Sequence, residues 1–531
     1  MKALAHCAEA VAAAPGRNEK IARVAAYLET LEDQDLARAV LYLSGRAFPA
    51  SDRRKLSVGH ATLREALVRV TGWDLEMIAT CYREVGDTGE TVALLVRRHT
   101  AGREMSLAQA EALYEELEQS RRTAQKVELL AEAFRSYDWL QLKYFVKGIT
   151  GNLRIGLQEK MVEEALAAAT GLSAEAVRGA NNRSGDLARV ARAARGGTLA
   201  GIEAVLFHPL EFMLAKPLDR VVDLADPAEW WVEDKYDGIR AQAHIDAGRV
   251  RLFTRGLEET TAAFPEVILE LAPLPGPLVL DGEILAWREG RALAFSVLQQ
   301  RMARKQVSSK TMAAVPVIFL AYDLLLWRGE LQFGVPVEER RRRLEGLGLR
   351  YVAPQMRLTS HGEIEERFLA ARGRGNEGLI LKRAGSAYES GKRGGNWLKV
   401  KRPYGTLDVV VTAAEQGHGR RASVLSDVTF AVRSDDRFLN VGKAYSGLTD
   451  EEIRQLTVLF KATTIERYGR VSLLRPEVVL EVAFDGVQRS PRHKSGYALR
   501  FPRIVRWRQD KRPEECDTVE RVRELYEASL E

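Results

Sequence analysis

The stretch VEDKYDGIRAQAH, residues 232–244, sets Lys235 among Glu233, Asp234 and Asp237 and follows it with Gly238 and Arg240. A half-buried strand has no need of such a cluster. An amine attacks phosphorus only as the neutral base, and burial, a neighbouring cation or a bound metal can make a lysine reactive in that way. Nearby carboxylates act in the opposite direction, so Glu233 and Asp237 are expected to be engaged elsewhere, by a base or a hydrogen-bond network. Gly238 permits close backbone approach. Arg240 can offer a planar fork to an anion or a sugar oxygen. Taken alone, K-x-D-G-x-R is equally a charged strand end.

The segments downstream change that balance. FTRG supplies Arg255 on the strand that returns through DAGR, LDGEI supplies Glu283, and AYDLL supplies Tyr322. EGLILK brings Glu377 and Lys382, GKRGGNW brings Arg393, and WLKVKR brings Lys399 and Lys401. Last, RFPRIVRWRQDK brings Arg508, Asp510 and Lys511. Each has a bland reading: a solvated turn, a core tyrosine, a wet strand face. Their succession in one order between residues 232 and 511 is hard to reach by accident.

The totals frame the rest. A chain of 531 residues exceeds one hydrophobic core and implies two to four domains. Hydrophobic residues at 46% and charged residues at 29% are ordinary for globular protein. Lys and Arg outnumber Asp and Glu by 79 to 73, a net charge of +6 that permits a nucleic-acid partner without requiring one. Cys7, Cys81 and Cys516 are scattered, with no CxxC pair, which argues against a disulfide framework or a zinc site and for a reducing cytoplasm. MKALAHCAEAVAAAPG has the look of a secretion signal, but His6 and Glu9 break its apolar run and an amphipathic helix is expected. No stretch of about twenty apolar residues exists to span a membrane.

Three regions follow from periodicity. Residues 1–205 read as an all-α domain: Leu142, Phe145, Val146 and Ile149 form one helical stripe, Val162, Ala165, Leu166 and Ala169 another, with GITGNLRIGL as the turn between them. Residues 206–402 read as α+β, with strands at RAQAHI, VRLFTR, PLVLDGEIL, VPVIFLAYDLL, EGLILKR and WLKVKR, and a helix at VEERRRRLEGL whose arginines are expected to face solvent. Residues 403–531 are strand-rich, and about five short strands suit a small barrel of the OB type. In VVLEVAF, Val478, Leu480, Val482 and Phe484 share one face.

The ordered segments resemble the motifs of the covalent nucleotidyltransferases, and over nearly the whole chain they resemble the ATP-dependent DNA ligases. KYFVKGITGNLRIGLQEKMVEEAL is similar to the helical DNA-binding domain that precedes the catalytic core in eukaryotic and archaeal members. The length suits a compact bacterial member. The resemblance implies a multidomain fold with an all-α N-terminal domain, an α+β nucleotidyltransferase (ATP-grasp-like) domain and a C-terminal OB-fold β-barrel.

It also implies roles. Lys235 attacks the α-phosphate of ATP, releases pyrophosphate and carries AMP as a phosphoramide. Glu233 accepts from the adenine amino group and Tyr322 stacks on the purine. Arg240 and Arg255 hold ribose and phosphates; Glu283 and Glu377 touch the ribose, bind divalent metal, or both. Two carboxylates with phosphate and water oxygens suit Mg²⁺, with Mn²⁺ an alternative. Lys399 and Lys401 neutralise the α-phosphate. Arg393 contacts the nucleotide and Lys382 has a similar part. Arg508, Asp510 and Lys511 orient pyrophosphate during self-adenylation and then swing away. Gly256 departs from the asparagine that often follows the second arginine.

The implied substrate is nicked double-stranded DNA, gripped through its backbone, with Asn152 and Arg154 as candidate groove or phosphate contacts and a helix-connecting turn as the alternative. A monomer in the cytoplasm, associated with the nucleoid of a bacterium, is expected. An NAD-dependent ligase would carry a four-cysteine zinc module that three cysteines cannot build. An RNA ligase or capping enzyme is the runner-up, though neither usually has so long a helical region before the lysine. A non-catalytic DNA-binding protein is disfavoured by the intact Lys235, Glu283, Glu377, Lys399 and Lys401.

Overall fold

The computed structural model describes residues 1–52, 54–218, 220–302, 307–417 and 423–528. Its first part is a stack of α-helices running from Lys2–Ala13 to Leu187–Arg195. The two predicted stripes lie on Trp139–Thr150 and Glu159–Thr170 and face inward, with Leu142, Phe145, Val146, Val162, Ala165 and Leu166 fully buried. Asp138 caps the first of these helices by accepting from Leu140 and Gln141 backbone N–H groups, and Gly151 ends it at φ 69°, a left-handed angle that costs glycine little. The connecting turn is tied down from beneath: the buried Lys147 Nζ donates to Leu153 O at 2.9 Å and pairs with Asp87 at 2.9 Å.

The central part contains two sheets. One runs in the order Lys216–Pro217, Trp397–Val400, Gly378–Arg383, Trp230–Lys235, Met356–Arg357. The other has Arg249–Thr254, Ile239–Asp246, Leu278–Arg288, Val317–Trp327 and Glu330–Leu331 side by side, with Arg291–Ala292 paired to its third strand. Side chains alternate across a strand, and that period divides function from stability. In the first sheet Val232, Leu379, Leu381, Leu398 and Val400 pack with Ile364, Phe368 and Ala371 of the helix His361–Gly373. The opposite parity, Glu233 and Lys235 with Lys382 and Lys399, faces the other way.

The helix Val337–Glu345 corrects one expectation. Arg340 is fully buried rather than solvated, and its guanidinium pairs with the equally buried Asp323 at 2.7 and 3.0 Å. Burying Asp323 on the core strand demands a counter-charge, and no local pattern in ERRRRLEG reveals which arginine supplies it.

Among the described residues the third part holds nine strands rather than about five, seven in one barrel-like sheet and two in a hairpin packed on the same core, Gly486–Arg489 with Tyr497–Arg500. The extra strands lack the alternating apolar signature. Thr464–Tyr468, for example, is exposed along most of its length. Val478, Leu480, Val482 and Phe484 do share one buried face, with Val409, Phe430 and Ile504 in the same core.

Candidate active site

Lys235 ends its strand with its ammonium 2.6 Å from Glu377 Oε2. Lys401 reaches the same oxygen at 2.7 Å and Asp485 of the barrel at 3.0 Å. One carboxylate oxygen therefore serves two lysines. Burial alone would raise the Glu377 carboxyl, but Lys235 and Lys401 outweigh it and hold the group at about 2.

Glu283 behaves oppositely. Burial pushes it up to about 8, Lys235 and Arg240 counteract only in part, and the charges of Asp281 and Glu377 add to the rise. Among the described residues no hydrogen bond or ion pair holds its carboxyl. Two neighbouring carboxyls thus differ by several units, one anionic and one still carrying its proton near neutrality. Gly238 makes room for Glu283, because a Cβ there would lie 2.7 Å from Glu283 Cγ.

A basic set completes the phosphate side. Burial, with Arg393, Lys235, Lys401 and Arg255 close by, pushes the Lys399 ammonium down. Among the described residues Arg393 donates only to Ala215 O, at 3.3 Å, and Arg255 lies exposed at the end of the returning strand. These cations converge with little negative charge between them, which favours a polyanion.

Glu233 and Asp237 are engaged, as anticipated, and so is Asp234. Asp234 takes a two-pronged contact from Arg374 at 2.9 Å and another from Asn376 at 2.7 Å. Glu233, almost fully buried, accepts from Gln355 at 2.7 Å and pairs with Lys382 at 2.9 Å. Burial lifts its carboxyl and Lys382 opposes the lift. Asp237 is held by Arg500 at 2.8 and 3.2 Å. Tyr322 stands half-buried against Lys382, whose ammonium is 5.1 Å from its ring centroid.

Several expected residues sit differently. Arg240 is not a free fork: Nε and Nη2 bond Asp281 at 3.1 and 2.6 Å, and Nη1 donates to Met213 O at 2.7 Å. The fully buried Asp281 needs that cation. Lys382 lies beneath Tyr322, its ammonium turned to Glu233. Arg508 and Lys511 are not brought to the pocket; both clasp Asp408 of the barrel, at 2.9 and 2.6 Å, and Arg508 also pairs with Asp510. In the helical domain Arg154, at φ 52°, donates to Gly86 O and lies 3.8 Å from Asp87, while Asn152 Oδ1 accepts from Arg154 N.

Sequence reading missed Arg500 and Asp485. The need of Asp237 for a partner was legible; the identity of a partner 263 residues away was not.

Fold and site together define a nucleotidyltransferase, a central two-sheet domain flanked by a helical domain and a β-rich domain. The family described as ATP dependent DNA ligase domain matches residues 212–401, with DNA ligase N terminus at 1–167 and ATP dependent DNA ligase C terminal region at 421–511. The chain is 43% identical over 560 residues to a probable DNA ligase of Koribacter versatilis, covering 100% of this chain and 97% of that one. It is 36% identical over 547 residues to DNA ligase 1 of Korarchaeum cryptofilum, covering 100% and 99%. The solved structure Pmar-Lig_PreS3 superposes with a TM-score of 0.61 at 16% identity, over 95% of this chain and 99% of that one, a likeness of fold. The chain belongs to the ATP-dependent DNA ligase family, whose function is the sealing of nicks.

Proposed function

We propose that Lys235 carries the AMP group in the sealing of 5′-phosphate/3′-hydroxyl nicks in duplex DNA. The observation that carries this reading is the convergence of Lys399, Arg393 and Arg255 beside Lys235, cations with little counter-charge where a triphosphate would lie. The Lys235 amine forms a P–N bond to the α-phosphorus of ATP as the bond to pyrophosphate breaks. Glu377 orients that amine, and Lys401 shares the carboxylate, so Glu377 keeps a cationic partner when Lys235 gives up its proton. An oxygen of the 5′-phosphate at the nick then takes AMP, the P–N bond breaks and Lys235 regains a proton. Finally the 3′-hydroxyl attacks the 5′-phosphorus and AMP leaves.

Tyr322 is proposed to stack on the purine and Glu233 to accept from its amino group. Glu283 and Glu377 fit a hard divalent cation such as Mg²⁺ or Mn²⁺: the donors are oxygens, and the proton held by Glu283 is what a cation would displace. Among the described residues no cluster of three or more His, Cys, Asp or Glu could hold a metal, so phosphate and water oxygens complete the set. Bound there, such a cation would offset the charge of the phosphates. Asn152 and Arg154 are proposed to meet the duplex backbone. Arg508 and Lys511 are proposed to orient pyrophosphate after a rotation of the barrel that releases them from Asp408.

Incubation with α-labelled ATP and Mg²⁺ tests the reading. A label on the chain that vanishes in Lys235→Ala, with sealing of nicked DNA in preference to nicked RNA, supports it; an unlabelled chain rejects it.

A further inference from the structure

We infer that Lys382 is a positioning residue that sets nucleobase preference, holding one oxygen of Glu233 so that the other stays an acceptor for a 6-aminopurine. The inference rests on the reading that Glu233 faces the base. Both protein donors to this carboxylate converge on one atom, Oε1: Lys382 Nζ at 2.9 Å and Gln355 Nε2 at 2.7 Å. Among the described residues nothing hydrogen-bonds Oε2, and that atom is not among the polar atoms sealed in the interior without a partner. One oxygen is fixed by protein and the other is left open.

Lys382 has no freedom to serve elsewhere. It is 1% exposed, donates to Tyr322 O at 2.8 Å, and lies 4.6 Å from the Trp397 ring centroid and 5.1 Å from that of Tyr322. Two aromatic faces, a carbonyl and a carboxylate cage a desolvated ammonium. The same lysine therefore anchors the backbone of the proposed stacking residue and the edge-reading carboxylate.

The charged and titratable groups around Glu233 are Lys382 from the neighbouring strand, Arg341 from the helix Val337–Glu345, Asp323 from Val317–Trp327, and Tyr236 immediately after the end of its own strand, Trp230–Lys235. Burial favours the neutral carboxyl and Asp323 reinforces it, while Lys382, the largest opposing charge, and Arg341 favour the anion. An anionic Oε2 accepts from the 6-amino group of adenine and meets the 6-oxo group of hypoxanthine acceptor to acceptor. Without Lys382 the carboxyl keeps its proton and can donate to the 6-oxo group. A site built for one hydrogen-bond polarity rejects the other strongly, because buried polar groups go unpaired.

The test measures covalent labelling by ATP and by ITP, which share ribose and triphosphate, so that steps at Lys235 cancel in the ratio. In the unaltered protein the ATP preference is expected to shrink as pH falls and Glu233 takes up its proton. Lys382→Met is expected to lower it ~10-fold or more and to flatten its pH dependence. Glu233→Gln, whose amide can turn either way, is expected to give a low and pH-independent ratio. If Lys382→Met retains the original ratio and profile while Glu233→Gln loses them, the role of Lys382 is refuted and the base-facing reading of Glu233 stands. If Glu233→Gln leaves the ratio unchanged, that reading falls and the inference with it. Should Lys382→Met not fold, the unaltered protein decides: a pH-independent ATP/ITP ratio overturns the proposal.

Discussion

Asp237 and Arg500, 263 residues apart in the chain, form a two-pronged ion pair at 2.8 and 3.2 Å that ties the lysine segment to the barrel. Arg500 also lies 5.2 Å from the Phe295 ring centroid, and Asp485, beside it in the barrel, reaches Lys401. The barrel thus docks through Arg500 and Asp485 while Arg508 and Lys511 turn to Asp408. Removing Arg500 should weaken this docking alone. Charge-assisted hydrogen bonds contribute about 1.5–3 kcal/mol, so Arg500→Ala should slow sealing of a pre-adenylated nick by ~10- to 100-fold and spare self-labelling by ATP. Arg508→Ala should do the reverse. Single-turnover assays of the two steps distinguish them, and equal losses in both steps for either variant would disprove the division.

Lys235 offers a test that separates nucleophile from structural cation. Lys235→Arg keeps a positive charge near Glu377, so the ion pair and the melting temperature should be nearly preserved. Guanidinium remains protonated, so covalent AMP should fall below detection. A labelled Lys235→Arg chain would place the bond on another residue.

The split between Glu283 and Glu377 gives a pH dependence with a definite sign. An unfolded Glu283 loses its proton near 4.5, while the folded one keeps it to about 8. Across that window the folded chain binds more protons, so stability falls as pH rises. Glu377 acts in the other window: its stabilisation is full above 4.5 and is lost as pH falls toward about 2. Glu283→Gln should therefore gain on the unaltered chain progressively between 4.5 and 8, by on the order of 2 kcal/mol once the partial solvent exposure of the side chain is discounted. Melting curves without nucleotide or divalent cation measure this. A gain that does not grow with pH would show that the carboxyl is already ionised.

Much of this site was legible because strand alternation puts chemistry and core on opposite parities. Lys235 and Glu233 share a face with Lys382 and Lys399, and WLKVKR and EGLILK betray that by their period. The helical stripes on Trp139–Thr150 and Glu159–Thr170 were readable for the same reason. What escaped is what depends on long-range pairing. Arg240 looked like a free fork because its partner Asp281 sits on another strand. Arg340 looked solvated because its partner Asp323 does too. Arg500 and Arg508 look alike as sequence, and only domain docking tells which one pairs with Asp237 beside the lysine strand.

The turn at Asn152 and Arg154 is where DNA contact and local structure compete. Arg154 donates to Gly86 O and sits 3.8 Å from Asp87, which already pairs with the buried Lys147. Asp87 therefore has one charge shared between two cations, and Arg154, about half exposed, has charge to spare for a phosphate. A single phosphate contact adds roughly 0.9 to the slope of log affinity against log salt. Arg154→Ala should weaken binding to nicked duplex in low salt and reduce that slope by about 0.9. Fluorescence anisotropy over a salt series reads both quantities. Weaker binding with an unchanged slope would instead mean that Arg154 shapes the turn, through Gly86, for other residues to use.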